Sequence, residues 1–512
     1  MLNLSHIRPY EFVLPLVVFA PYFMALVALV VDLYTSSREA VWLIGFWTAV
    51  CVAFVAGASY SQFSLASSQL QWSVNIGGWL GLYNIALNLG TNGLTNTLLA
   101  ATDLAFVFAY LGSRERDADR AVSVIMFLLL LGSLNGILCS TNIFLITLFT
   151  VISCAVVMSL AYVLYGERLR HAIGAFILLA FVLTAALITV LYSAQSQTSL
   201  LSDVYSIGLA PKQQFVNLSL FGIAALILLG SWPFGAWYRN LMENLSSPLA
   251  SVFTIFARAL AAVIIFEIIL KIDIHTMVLL QYAILSFGIL QTAIGSLRIT
   301  RSDLMRDYVQ GLLEINGGAI LMSIGTLTAS GFIAAALFFV VSIITTPVCV
   351  YTANHIDSRV LRRPNVPITG IVNVAPWSGW SLALGSLGLV GLPGLGGFVA
   401  LGVLLAGSFN LPPYFMVPVG MVLALSLVGC LYRCFVSLFG RTPERLRDIG
   451  DLRLGVRALA VASVAALMWI GIMPSGPKVA SIPILESGIV NVISNQVFSL
   501  STPYLSQIRG VR

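Results

Sequence analysis

The chain has 512 residues, 59% of them hydrophobic and only 9% charged, with a net charge of +6 and a mean hydropathy of +0.97. A soluble globule carries charge on about a quarter of its residues, so a water-soluble fold is excluded. The basic residues lie beside apolar runs, which assigns the positive excess to membrane topology and leaves no nucleic-acid-binding role. In chain order, apolar runs long enough to cross a bilayer predict fourteen helical spans. They lie at about 11–32, 41–60, 87–112, 122–138, 142–165, 172–195, 216–238, 249–271, 275–297, 309–328, 331–353, 379–407, 413–438 and 456–474. The first follows a short polar stretch without a small-residue cleavage site, so it reads as a retained helix and not a removed signal peptide.

The arginines check this count. Loops after the odd-numbered spans carry Arg38; Arg114, Arg116 and Arg120; Arg168 and Arg170; Arg239; Arg298, Arg301 and Arg306; Arg359, Arg362 and Arg363; and Arg441, Arg445, Arg447, Arg453 and Arg457. That places eighteen basic residues on one face against six on the other. Basic short loops mark the cytoplasmic side, so both termini are expected on the non-cytoplasmic side of an inner (plasma) membrane or another energy-transducing membrane derived from it.

Two spans carry helix breakers. Ser231-Trp-Pro-Phe-Gly-Ala-Trp237 puts Pro233 in span 7, and Gly391-Leu-Pro-Gly-Leu-Gly-Gly397 puts Pro393 and Gly394 in span 12. Bare backbone at membrane depth is tolerated only where protein or a watery cavity covers it. Breaks five spans apart point to two repeats of a transporter-like fold, the alternative being an ordinary proline kink in each. The cysteines are scattered, and Cys430 and Cys434, four apart on one helix, read as apolar packing with no metal set around them. His6, His171, His275 and His355 lie far apart in sequence. No phosphate loop, nucleotide fingerprint or nucleophile triad is visible, so no catalytic residue is expected.

Several strings together resemble the antiporter-like membrane subunits of respiratory complex I. Leu89-Gly-Thr-Asn-Gly-Leu-Thr95 is similar to their Leu-Gly-Val-Asp-Gly-Leu-Ser, and Trp232-Pro-Phe-Gly-Ala-Trp237 to their Phe-Pro-Phe-His-Thr-Trp. Arg301-Ser-Asp-Leu-Met-Arg306 resembles Gln-Thr-Asp-Leu-Lys-Arg, and Ser386-Leu-Gly-Leu-Val-Gly-Leu-Pro393 with Gly397-Phe398 resembles Ser-Leu-x-Gly-Leu-Pro-Pro followed by Gly-Phe. The stretch from Asp451 to Pro474 is similar to their final helix, so the resemblance runs from about residue 85 to 475. The family also includes large subunits of Mrp cation/proton antiporters, membrane-bound hydrogenases and inorganic-carbon uptake systems.

The resemblance implies an all-α membrane fold with inverted five-helix repeats at spans 4–8 and 9–13 and broken helices 7 and 12. It divides the chain into 1–121 (helices 1–3), 122–271 (first repeat), 272–438 (second repeat) and 439–512 (final helix and tail). It also implies a proton path through mid-membrane glutamate, lysine and histidine. Here the matching positions are Val151, Leu228, Gly235, Ile315, the stretch Ser342-Ile-Ile-Thr-Thr346, and Leu401. None of these residues titrates.

The ionisable residues left within spans are weighed singly, because charge at bilayer depth is expensive and normally marks function. Arg258, near the family's span 8 lysine, is either an electrostatic element of an ion path or a structural charge; arginine cannot relay a proton as lysine does. Glu267, nine residues on, falls on roughly the opposite helix face and should not pair with it. Glu314 in span 10 is the strongest titratable candidate, set against a hydrogen-bonded structural carboxylate. Asp103 in span 3 lies outside the repeats; with Glu267 it is a further candidate for the ion path, the alternative being a place facing a neighbouring subunit. Asp32 reads as solvated, and Asp303 is expected to pair with Arg306, three residues on.

The functional expectation is a membrane-arm subunit of a complex-I-like assembly, of the NADH- or ferredoxin-quinone oxidoreductase type or related. Its partners would be other membrane subunits and the lipid bilayer, it would hold no cofactor or metal, and redox chemistry would lie on partner subunits. The alternative is an active translocator of protons or monovalent cations that uses Arg258 and Glu314.

Overall fold

The computed structural model describes residues 12–35, 37–63, 70–80, 85–111, 120–193, 200–201, 211–269, 274–360, 368–441 and 450–472. Helices occupy each apolar run. They are α1 (Val13–Thr35), α2 (Arg38–Ser61), α3 (Gly93–Leu111), α4 (Arg120–Cys139), α5 (Ile143–Tyr165), α6 (Arg170–Ser193) and α7 (Pro211–Leu228). After these come α8 (Ala236–Asn244), α9 (Ser247–Val263), α10 (Ile274–Arg301), α11 (Met305–Gly325) and α12 (Ala329–Val360). The last are α13 (Ile371–Val374), α14 (Pro376–Val390), α15 (Gly396–Ser408), α16 (Pro413–Phe439) and α17 (Leu454–Ile472). Among the described residues ten helices are long and apolar enough to cross a membrane. The chain is a helical multi-pass membrane protein.

Span 3 differs from its predicted start near residue 87. Residues Gln71–Leu80 (β1) and Ile85–Thr91 (β2) form an antiparallel hairpin, and the helix begins only at Gly93. The all-α expectation therefore omitted this hairpin. The Leu89–Ser140 bridge and the Thr141 amide, which donates to the Asn88 carbonyl at 3.2 Å, tie β2 to the turn between α4 and α5. That pairing satisfies the strand's backbone, which an apolar run alone would have placed in a helix.

The described residues fall in two compact units, one from Met1–Val107, Arg116–Leu228 and Ala259–Thr276, the other from Phe108–Glu115, Leu229–Arg258 and Met277–Arg512. In the first, α4 packs on α1, α2 and α5, and α6 packs on α7. In the second, α12 is the central helix, with α11, α14, α15 and α17 packed around it.

Helix α10 meets α11 through glycine. A Cβ on Gly295 would lie 2.7 Å from the Gly311 carbonyl, and one on Gly318 would lie 2.7 Å from the Gly288 carbonyl and meet the Thr292 hydroxyl. Backbones at this range exclude any side chain, the small-residue packing by which membrane helices associate without a hydrophobic drive. The breaks are local. The chain leaves helix between Leu228 and Ala236, with Pro233 inside the gap and Gly230 at φ 65°. It leaves helix again between Val390 and Gly396, where Gly391 and Gly394 take φ 104° and 89° around Pro393. Only glycine adopts such φ without strain.

Candidate polar site in the membrane interior

The second unit holds a buried polar cluster contributed by α9, α10 and α11 and by the interruption after α7. Arg258, on α9, is 1% exposed. Its Nη2 donates to the Leu313 carbonyl at 2.7 Å and its Nη1 lies 3.5 Å from Asn316 Oδ1. Both acceptors sit on α11, one turn apart on the face turned toward α9. Gly317, between them in space, lets the groups converge: a Cβ there would lie 2.7 Å from Gln291 Nε2 and 3.4 Å from Arg258 Nη1. Gln291 Oε1 in turn accepts from the Ser231 hydroxyl at 2.6 Å, in the interruption that carries Pro233.

Glu314 is on α11 and is buried. Its Oε2 accepts from Arg298 Nε at 3.0 Å and its Oε1 from Gln310 Nε2 at 3.1 Å. Both carboxylate oxygens are thus engaged, the first by an ion pair whose arginine side chain keeps 30% exposure. Sequence reading had put Arg298 in a cytoplasmic loop, but α10 runs on to Arg301 and brings it alongside Glu314. Neither Gln291 nor Gln310 stood out, because amides do not titrate; the one available signal was the i,i+4 spacing of Gln310 and Glu314.

A second arrangement at the end of this unit was also missed. Asp357, fully buried near the end of α12, accepts the Met305 and Arg306 amides, each at 2.9 Å, and lies 3.7 Å from Arg306 Nε. A carboxylate at a helix start satisfies amides that have no partner within the helix. The expected Asp303–Arg306 pair is therefore corrected: Asp303 points to solvent and acts on Arg433, and Arg306 is held by Asp357. Three residues along a chain measure reach, but Asp303 precedes the α11 cap and turns outward. Asp451 does the same work for α14, accepting the Trp377 and Ser378 amides at 3.0 Å each and the Ser378 hydroxyl at 3.1 Å. Partial burial pushes its carboxyl up, but these bonds and the Leu452 amide outweigh that and hold it below the ordinary aspartate range.

The cysteine pair also needs correcting. Cys430 and Cys434 are buried, but the Tyr308 hydroxyl is hydrogen-bonded to their sulfurs at 3.3 and 3.2 Å, and Ser386 Oγ reaches Cys434 at 3.4 Å. This weak polar knot joins α11, α14 and α16.

In the first unit, Glu267 is buried in a π-helical turn, Ile264–Ile269, that continues α9. It accepts from Asn92 Nδ2 at 2.6 Å. Asp103 is 1% exposed, so it does not face a neighbouring subunit. It points inward toward Asn135 and Cys139 on α4, because residues eleven positions along α3 from the polar start at Asn92 return to the same inner face. Neither of its oxygens makes a hydrogen bond, and Asn135 Nδ2 donates instead to the Val17 carbonyl at 3.3 Å.

At the positions matched to the family's proton path, Leu228 and Ile315 are 1% and 2% exposed. The hydroxyls of Ser342, Thr345 and Thr346 donate to Phe339, Val341 and Ser342 carbonyls of their own helix, at 2.8, 2.6 and 2.6 Å.

A chain of respiratory complex I from Thermus thermophilus with bound NADH superposes with a TM-score of 0.78 and 18% identity, over 95% of this chain and 99% of that one. The two chains share one fold. A chain of the Mrp complex from Dietzia sp. DQ12-45-1b gives 0.75 and 14% identity over 97% of this chain and 56% of that one. A chain of the membrane-bound sulfane sulfur reductase, an archaeal respiratory membrane complex, gives 0.76 and 14% over 90% and 76%. At these identities the likeness is one of fold alone. No family model and no curated protein matches the sequence.

Proposed function

We propose that the chain is a membrane-arm subunit of a complex-I-like, ion-translocating assembly, providing structure and partner contacts with a degenerate proton path of its own. In this reading it crosses the membrane fourteen times, with inverted repeats at 122–271 and 272–438 and both termini on the non-cytoplasmic side. Other membrane subunits cover its exposed apolar faces. The fold shared with chains of two respiratory complexes and an Mrp complex supports the first half.

The observation that carries the second half is the state of the buried polar groups. A proton path needs groups that gain and lose a proton in turn. At the matched positions the side chains are apolar, and the hydroxyls nearby are spent on their own helix. Arg258 stays charged at any working pH. Glu314 is engaged on both oxygens by Arg298 and Gln310.

The test is proton pumping by the intact assembly in proteoliposomes, with Glu314→Gln and Arg258→Ala in this chain and assembly checked on native gels. Pumping close to wild type is expected of both. Loss of most of the pumping in an assembled variant would instead support an active translocator that works through Arg258 and Glu314.

A further inference from the structure

Three exposed aromatic rings follow one another along the surface of the second unit. Trp377 and Trp380, one turn apart at the start of α14, are 41% and 49% exposed, and Phe439, the last residue of α16, is 42% exposed. Trp380 meets Phe439 edge to face, with ring centroids 5.2 Å apart. An arginine belongs to each end of this row. The Arg457 guanidinium, on α17, lies over the Trp377 ring at 5.6 Å. Arg441, two residues after Phe439, is exposed, and its carbonyl is held by the Thr369 hydroxyl at 2.7 Å.

Arg457 is positioned, yet its charge is unanswered. Its Nε donates to the Leu452 carbonyl at 2.6 Å, which fixes the guanidinium and leaves both Nη groups for an acceptor from outside. None of the ion pairs among the described residues includes Arg457 or Arg441. The carboxylate of Asp451 is committed to the Trp377, Ser378 and Leu452 amides.

The place of the row in the fold says what faces it. Both α16 and α17 pack on α14, and here α14 and α17 begin and α16 ends. Helix ends mark the level at which a membrane chain leaves hydrocarbon, and tryptophan at that level sits among lipid headgroups. An arginine fork grips a phosphate through parallel N–H bonds, which lysine does not match. A choline or ethanolamine headgroup would bring one more positive charge to a row that already has an arginine at each end. The chemistry that fits is a headgroup with net negative charge.

We propose that Trp377, Trp380, Phe439, Arg441 and Arg457 form a docking site for one anionic phospholipid of the phosphatidylglycerol class. The arginines take the phosphate and the rings take the glycerol and the first carbons of the chains. The proposal needs only that the chain is a multi-pass membrane protein, and it holds whichever assembly the chain serves.

The test is native mass spectrometry of the full chain in a neutral detergent, titrated with phosphatidylglycerol or with phosphatidylcholine of the same acyl chains. Wild type is expected to bind one phosphatidylglycerol about 25-fold more tightly than phosphatidylcholine, from two arginines worth about fivefold each near an anionic headgroup. Arg457→Gln and Arg441→Gln should each lower that preference about fivefold, and the double variant should abolish it. Phosphatidylglycerol with a photoreactive group at the head of one chain should label Trp377–Trp380 in wild type. Equal binding of the two lipids by wild type overturns the proposal, because tryptophan anchoring alone is blind to headgroup charge. A wild-type preference in the double variant overturns it too; should that variant fail to fold, a wild-type preference in both single variants has the same force. Displacement of the lipid by an equal concentration of inorganic phosphate would show a phosphate site and not a lipid site. Cross-linking of Trp377–Trp380 to a partner subunit, with no lipid label there in the intact assembly, would show a protein contact instead and likewise overturn the proposal.

Discussion

Replacing Asp357 by alanine tests whether one buried carboxylate holds the start of α11. The side chain is fully buried and accepts two backbone amides at 2.9 Å, with Arg306 Nε 3.7 Å away. Hydrogen bonds to a charged group contribute about 1.5–3 kcal/mol each. Because the two amides and the arginine share one carboxylate, their contributions do not simply add. Breaking a buried pair from one side costs about 3–5 kcal/mol, and Asp357→Ala is placed in that range. Asp357→Asn keeps the shape but turns an NH2 toward one of the two amides, so a loss of about 2 kcal/mol is expected. Asp303→Ala, at an exposed carboxylate in the same turn, should change stability by less than about 0.5 kcal/mol. The assay is denaturant unfolding in detergent micelles followed by tryptophan fluorescence, with a double-mutant cycle to Arg306→Ala. Coupling of Arg306 to Asp303, or a cost below about 1 kcal/mol for Asp357→Ala, would refute the assignment.

Three further outcomes follow from the packing and the charges. Gly318→Ala forces a methyl group against the Gly288 carbonyl and the Thr292 amide, at 2.7 and 2.8 Å, where backbone cannot yield cheaply. It should destabilise by about 1–3 kcal/mol in the same unfolding assay, whereas Gly402→Ala, which meets nothing, should not. Asp103→Asn supplies the donor that Asn135 Oδ1 lacks, so it should leave the unfolding midpoint unchanged or raised; a marked fall would show that a charged Asp103 is needed. Asp451 has a depressed folded-state pKa, so its stabilisation is complete above the ordinary aspartate value of about 4 and is lost as pH falls through the lower folded value. Wild type should lose stability across that acid window, and Asp451→Asn should lose less; equal pH profiles would contradict the capping role.

Much of this protein could be read from its residues in order. The helices follow from apolar runs, because unpaired backbone in hydrocarbon costs several kcal/mol per group and forces each run to satisfy itself. The interruptions at Pro233 and Pro393 follow from local chemistry, a missing amide and glycines at positive φ. That the positions matched to the resembled family's proton path carry residues such as Val151, Leu228 and Leu401 was likewise legible, since it required only an order of motifs. The pairings were not. Arg298 meets Glu314, Asp357 meets Arg306 and Asn92 meets Glu267, at separations of 16, 51 and 175 residues. Sequence spacing orders neighbours only within one helix, so it proposed Asp303 for Arg306 and a partner-facing Asp103. Which faces meet is settled by helix packing, here by the glycines that let α10 and α11 approach backbone to backbone. Tertiary structure alone also separated the buried charges into two kinds. Glu314 has found its cation, while Arg258, in none of the ion pairs among the described residues, is held by the Leu313 carbonyl and the Asn316 amide oxygen.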